Sequence, residues 1–199
     1  QRISSINSLS VLSEKTGAEI DELAKAIGMD HRIGPHFLKA SVGFGGSCFQ
    51  KDILNLVYLC EYYGLNEVAE YWYQVIKIND YQRSRFSKKI IKEFGKKNIN
   101  KKVGIFGWAF KANTNDSRES SAIYIAKELI ESGIKLNIYD PMVTKERIFS
   151  DLYSVLEKRI DKNHVKVFTS MKDAINGINT FVILTAWKEY EEYRWKKII

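Results

Sequence analysis

What this sequence lacks narrows its class before any motif is read. No stretch approaches the roughly 18–20 apolar residues of a membrane span, so no transmembrane helix and no membrane partner are expected. The first residues, Gln1-Arg2-Ile3-Ser4-Ser5-Ile6, read as helix and not as a charged leader followed by an apolar core, so no signal peptide is expected there. Position 1 is not a methionine, and the opening is expected to continue a helix begun in a longer protein. Two cysteines, Cys48 and Cys60, make no disulfide framework and fit a reducing, cytoplasmic setting. The three histidines, His31, His36 and His164, have no partner pattern, so neither a metal centre nor histidine catalysis is expected. Internal repeats and low-complexity tracts are missing as well.

What remains is an ordinary globular composition. Over 199 residues, 45% are hydrophobic and 28% charged, enough length and apolar content for a real core. The 31 Lys+Arg outnumber the 24 Asp+Glu to give +7, a balance that attracts phosphate-bearing ligands. Yet the basic pairs Lys88-Lys89, Lys96-Lys97, Lys101-Lys102 and Lys196-Lys197 are scattered and interleaved with acids. That is the pattern of solvated helix faces and linkers, and no nucleic-acid partner is expected.

The first half reads as helices. Thr16-Gly17-Ala18-Glu19 has capping-box spacing, and Ile20, Leu23, Ala24 and Ile27 then recur on one face until Gly28 stops the helix. A glycine-rich irregular segment runs from Gly34 to Gly46, a second helix from about Cys48 to Tyr63, and a long third from about Glu67 to Phe94. A helix of that length commonly crosses a bundle or an oligomer interface. The polar stretch 95–102 is the best boundary, because the periodicity changes after it. Short strands are predicted at Val103–Gly107, Leu136–Tyr139, Val165–Phe168 and Thr180–Leu184, with helices near Ser120–Ser132, in the charged segment before the third strand, and at Met171–Ile178. Alternation of strand and helix predicts an α/β fold with a parallel sheet. The expected organisation is a helical domain at 1–97 followed by a Rossmann-like domain at 98–199.

Chemistry concentrates in Gly43-Phe44-Gly45-Gly46-Ser47-Cys48-Phe49-Gln50-Lys51-Asp52. Three glycines in four positions let backbone come close to a ligand. Ser47 and Gln50 again have capping-box spacing, which would make Ser47 the N-cap and Cys48 the first helical residue, at the positive end of the helix dipole where thiolate is favoured. Asp52 stands one turn further on the same face, a carboxylate beside a nucleophile. Read from these residues alone, Cys48 is either a nucleophile or a small buried apolar residue. Cys60, inside the apolar run Leu54–Cys60, suits the second description.

The stretch Phe44–Asp52 resembles the active-site signature of the nucleotide-sugar dehydrogenase family, in its UDP-glucose 6-dehydrogenase branch. Further segments share the resemblance: Gln1–Asn7, Ile27–Asp30, Phe37–Ser41, Asn55–Cys60, Asn79–Gln82, Gly107–Lys111, Asp116–Ser121 and the Tyr139-Asp140-Pro141 turn. It covers nearly the whole chain and weakens beyond about Val143. Relatives acting on UDP-N-acetyl-mannosamine or GDP-mannose share the Gly-Gly-Ser-Cys core, usually with proline in place of Gln50.

The resemblance implies NAD-dependent oxidation of the UDP-glucose C6 hydroxyl to a carboxylate, with two NAD+ consumed. Cys48 would trap the aldehyde as a thiohemiacetal and then carry a thioester, which water releases as UDP-glucuronate. Asp52 would position or deprotonate that water. It further implies that Lys39, Ala40, Ser41, Val42, Gly43, Phe44 and Gly45 wrap the UDP-glucose, and that Arg32 reaches a neighbouring subunit's sugar nucleotide. Phe110 and Lys111 would contact substrate, and Arg118 would face the NAD. A homo-oligomer, dimeric or larger, through the helical domain is implied too. The family's NAD-binding domain and catalytic lysine belong ahead of Gln1, so the isolated chain is expected to be inactive, a nucleotide-sugar-binding or assembly module by itself. The strand-turn Gly104-x-x-Gly107, with Asp140 after the second strand, lacks G-x-G-x-x-G, and the resemblance gives this domain to UDP and not to NAD.

Overall fold

The computed structural model describes residues 1–95, 102–157, 160, 161, 163–193 and 195. The boundary expected at 97/98 falls on residues 96–101, outside the described residues. Packing divides the chain into two compact units, one of Gln1–Phe44 and Cys48–Arg83, the other of Gly45–Ser47 and Ser84–Ile199. The division passes through the long helix and around three residues of the glycine loop.

The first unit is helical: α1 (Arg2–Thr16), α2 (Ile20–Gly28), α3 (Phe49–Tyr62) and the leading part of α4 (Asn66–Gly95). Its apolar centre is small. Phe44, Val75 and Ile76 pack with Ile3, Ile53 and Trp72, and Val57, Cys60 and Ala69 pack beside the same Ile53 and Trp72. The inward face of α1 is mostly polar, burying Ser4, Asn7, Ser10 and Ser13 around Ile6. Ser4 Oγ donates to Val75 O of α4 at 3.2 Å, and Ser10 Oγ donates to Asn7 O at 2.6 Å.

Two expected caps do not form. Thr16 is the last residue of α1 and does not start α2: its hydroxyl donates to Leu12 O at 3.1 Å, and Gly17 (φ 77°) ends the helix. A threonine in a last turn finds a carbonyl one turn back, and the glycine is the stronger signal. Nor does Ser47 cap α3. Cys48 occupies the cap position in helical geometry (φ −94°, ψ −53°), and its carbonyl accepts the Asp52 N–H at 3.0 Å, the first bond of the helix.

The second unit carries the sheet. Strands β1 (Lys102–Phe106), β2 (Lys135–Tyr139), β3 (Val165–Phe168) and β4 (Phe181–Ile183) pair in the order β3-β2-β1-β4, all parallel, as the alternation predicts. Connecting them are α5 (Ser121–Glu131), α6 (Lys145–Leu156) and α7 (Met171–Ile175), and a short α8 (Lys188–Glu192), not anticipated from the pattern, follows β4. The last helix and strand before it are shorter than expected, α7 ending at Ile175 and β4 starting at Phe181. Strand order reverses between β1 and β4, and open α/β sheets bind ligands outside the carboxyl ends of strands at such a reversal.

The loop leaving the carboxyl end of β1 is held by Asp140, at the end of β2. One carboxylate oxygen accepts the N–H groups of Trp108 (2.6 Å) and Ala109 (3.0 Å) and the Trp187 indole N–H (3.3 Å); the other accepts those of Met142 and Val143, both at 2.9 Å. Asp140 is thus committed to protein donors, which explains its place in the Tyr-Asp-Pro turn without any ribose contact. Replacing Asp140 by alanine would leave several buried N–H groups unmet. We expect urea unfolding to show a loss of about 3 kcal/mol for Asp140→Ala, and less for Asp140→Asn, which keeps one acceptor oxygen.

Candidate active site

In the helical unit, residues 39–44 form an irregular segment whose backbone is gripped by side chains from α1 and α4. Asn7 Oδ1 accepts the Ser41 N–H at 2.7 Å, and Gln82 Nε2 donates to Ser41 O at 3.0 Å. Asn79 pairs with both polar groups of Phe44: its Oδ1 accepts the N–H (2.8 Å) and its Nδ2 donates to the carbonyl (3.1 Å). Arg83 Nη2 donates to that same carbonyl at 2.8 Å. Asn7, Asn79, Gln82 and Arg83 are all buried. Spacing of three and four puts Asn79, Gln82 and Arg83 on one face of α4, so one helix face serves the loop at several points.

Four residues after Phe44 the chain reaches Cys48, which is exposed and in no disulfide, while Cys60 is buried, as its apolar run suggests. Asp52 lies one turn along α3, exposed, with Lys51 Nζ 3.8 Å away. It borders an apolar hollow of about 480 Å³ with Phe37, Phe44, Phe49, Ile53 and Trp72 among its walls. Of the expected binding residues, Lys39 and Ser41 are exposed, Ala40, Val42 and Gly43 partly covered, and Phe44 buried. Arg32 is exposed and closes a two-pronged pair on Asp30, Nη2 to Oδ2 at 2.6 Å and Nε to Oδ1 at 3.0 Å. These hydrogen bonds hold the Asp30 carboxyl below its usual range.

The sheet unit brings the other expected residues together. Gly45 and Gly46 lie against the loop after β1: a Cβ on Gly45 would stand 2.5 Å from Glu119 O and 2.9 Å from Phe110 Cβ, and one on Gly46 3.0 Å from the Phe110 ring. Gly46 also has φ 89°, and its N–H donates to Arg118 O at 2.8 Å. Neither position has room for a side chain. Lys111 Nζ sits over the Phe110 ring, 5.4 Å from its centroid. Asp116 staples this loop, its carbonyl accepting the Phe110 N–H and its carboxylate the Arg118 guanidinium (Nη2–Oδ2 2.8 Å). Below, Ser117 Oγ donates to Asp151 Oδ2 at 2.5 Å, and Asp151 also takes the Trp108 indole N–H at 3.0 Å and Arg147 Nε at 2.9 Å.

Asn7, Asn79, Gln82 and Arg83 were not singled out from the sequence as site residues, although Asn7, Asn79 and Gln82 stand in segments that carry the family resemblance. For Asn79, Gln82 and Arg83 the one signal available was their polarity at a spacing of three and four along a helix that buries Val75 and Ile76; Asn7 sits on a face that is itself polar. Among the described residues, no group of three or more His, Cys, Asp or Glu could hold a metal ion, and no helix is long and apolar enough to cross a membrane.

Known proteins resemble this chain in sequence and in fold. The profile of the UDP-glucose/GDP-mannose dehydrogenase family central domain matches residues 1–81, and that of the family's UDP binding domain matches residues 104–199. UDP-glucose 6-dehydrogenase of Gallus gallus is 54% identical over 200 residues, covering 100% of this chain and 40% of the relative. That of Caenorhabditis elegans is 52% identical, covering 100% of this chain and 41% of the relative. Among solved structures, a UDP-glucose dehydrogenase from Pyrobaculum islandicum superposes with a TM-score of 0.78 at 31% identity, over 96% of this chain and 41% of the other. A UDP-D-ManNAc dehydrogenase from Pyrococcus horikoshii shares the fold at a TM-score of 0.71 and 23% identity, over 99% of this chain and 41% of the other. The chain therefore spans about two fifths of these relatives.

The Asp116–Arg118 pair yields a pH test. Hydrogen bonding to Arg118 is the main cause that lowers the Asp116 pKa from 3.8. A depressed carboxyl pKa stabilises the fold above the unfolded value, and that contribution disappears as pH falls through the folded value. We expect the stability difference between the parent and Asp116→Asn to be full at about pH 6 and to shrink steadily below about pH 4 in urea titrations.

Proposed function

Because the chain belongs to the UDP-glucose/GDP-mannose dehydrogenase family, we propose that it is the thiol-bearing and UDP-binding portion of an enzyme that oxidises UDP-glucose to UDP-glucuronate. One observation carries the reading. Cys48 is exposed at the first turn of a helix, directly after a glycine loop, with the Asp52 carboxylate one turn beyond. An accessible thiol at a helix amino end is suited to attack an aldehyde.

In this reading Cys48 adds to the C6 aldehyde, the sulfur forming a bond to carbon while the carbonyl oxygen takes a proton. Loss of hydride from carbon and of the proton from the hydroxyl of that thiohemiacetal leaves a thioester on Cys48. Water, positioned by Asp52, then attacks the thioester and frees the thiol and the carboxylate. Covalent capture keeps a reactive aldehyde from escaping between the two oxidations. NAD supplies the hydride-accepting chemistry when bound. The described residues of the sheet unit do not form a cradle for it: a Cβ on Gly104 would meet Phe106, Ile178 and Phe181, and Asp140 is committed to its five donors. No step is therefore assigned to a dinucleotide within this chain, and Arg118 is the residue we direct toward it.

Substrate contacts are assigned to residues 39–45, Phe110 and Lys111, with UDP held at the carboxyl ends of β1 and β4. Relatives of more than 50% identity are UDP-glucose enzymes, which favours that sugar over UDP-N-acetyl-mannosamine or GDP-mannose. We also assign a homo-oligomer to the helical domain. Tyr58, Tyr62, Leu65, Val68 and Tyr71 are exposed along α3 and the start of α4, an apolar surface of the kind that subunits cover. Arg32, likewise exposed, is then available to a neighbouring subunit's substrate.

Serine at position 48 keeps the shape and removes the sulfur. In the full-length protein, Cys48→Ser is expected to lower UDP-glucuronate formation by about 10³-fold or more, with UDP-glucose affinity within a few-fold of the parent. A normal rate of acid formation, followed by chromatography, would overturn the mechanism. The 199-residue chain alone is expected to give no NADH from UDP-glucose and NAD; measurable absorbance growth would contradict that.

A further inference from the structure

Resting on the reading of Cys48 as the reacting thiol, we propose that Asn79 is the residue that positions it, acting through Phe44. The Asn79 amide takes the place that a neighbouring strand would take beside Phe44, accepting its N–H at 2.8 Å and donating to its carbonyl at 3.1 Å. The side chain is 1% exposed. Both of its polar groups are used, so its orientation is set: exchanging oxygen and nitrogen would place donor against donor and acceptor against acceptor. Arg83 reinforces the carbonyl at 2.8 Å but carries only donors, so it cannot serve the Phe44 N–H.

Phe44 passes this restraint on. Its ring packs on Val75 and Ile76 and meets the Phe49 ring edge-on, centroids 6.1 Å apart at 75°. Phe49 is the first residue of α3 and the immediate neighbour of Cys48. The segment containing the thiol is therefore bounded by one residue clamped at its backbone and another that leans on the clamped residue's ring. Without the amide, the buried Phe44 N–H loses the acceptor it has at 2.8 Å, and the peptide is free to turn in search of another. Reactions of this type lose rate steeply when the attacking atom is misplaced by about 1 Å. Asn79 touches neither Cys48 nor substrate in this scheme, so it is a positioning residue.

The test uses the full-length protein with Asn79→Ala and Asn79→Asp, the latter keeping an acceptor for the Phe44 N–H and losing the donor. Alkylation of Cys48 by iodoacetamide, followed by peptide mass spectrometry, is the readout that a merely structural role does not move; buried Cys60 reports folding in the same digest. We expect the Cys48 rate in Asn79→Ala to change by at least about threefold with Cys60 still protected, and kcat with UDP-glucose and NAD to fall at least about tenfold, by more than KM changes. Asn79→Asp should fall between alanine and parent. If alanine exposes Cys60, the aspartate variant decides on an intermediate kcat loss with Cys60 protected. Variants that melt earlier yet alkylate Cys48 and turn over within about twofold of the parent would overturn the proposal. A parent that makes no UDP-glucuronate would instead sink the functional reading, while the alkylation rates would still decide the clamp.

Discussion

Irregular backbone that turns inward must find hydrogen-bond partners, and in this protein buried side chains supply them. That constraint governs both units. In the helical one, the amides of Asn7, Asn79 and Gln82 and the Arg83 guanidinium reach the peptide groups of Ser41 and Phe44. In the sheet unit, one carboxylate at the end of β2 gathers the N–H groups of the loops after β1 and β2. Buried polar groups cost free energy unless matched, so these constellations tolerate little rearrangement. Segments that would otherwise wander are thereby held in one conformation.

Such fixed loops are what the proposed chemistry requires. A thiol that captures a transient aldehyde gains from being accessible while its surroundings stay still, and Cys48 is exposed four residues after a peptide gripped at Phe44. The same economy marks the loop bearing Phe110, Lys111 and Arg118. There the Asp116 carboxylate aligns Arg118, and Ser117 is tied downward to Asp151. Charges on this loop are paired or stacked locally, so ligand contacts there would exchange protein partners for substrate ones.

Much of the architecture was legible because it follows from local rules. Alternating apolar runs and helical periods gave the parallel strands in order and nearly in register with their limits, and the i, i+3, i+4, i+7 pattern placed α2, ended at Gly28 as expected. Cap spacing misled at Thr16 and Ser47, since a capping box specifies which hydroxyl could bond and not which terminator wins nearby. The polar face of α1 was illegible for a related reason. Ser4, Asn7 and Ser10 look like solvent residues until the loop and helix they serve are packed against them.

By itself, then, the sequence determined the alternation of strand and helix as far as β4, the parallel α/β class, the family and the candidate thiol, because periodicity, glycine placement and a nine-residue signature are properties of neighbouring residues. Tertiary structure alone decided that Asn79 and Arg83 hold Phe44 from 35 and 39 residues away, and that Asp140 is a backbone anchor. Hydrogen bonds between residues so distant along the chain depend on where folding brings them, and no local pattern encodes that.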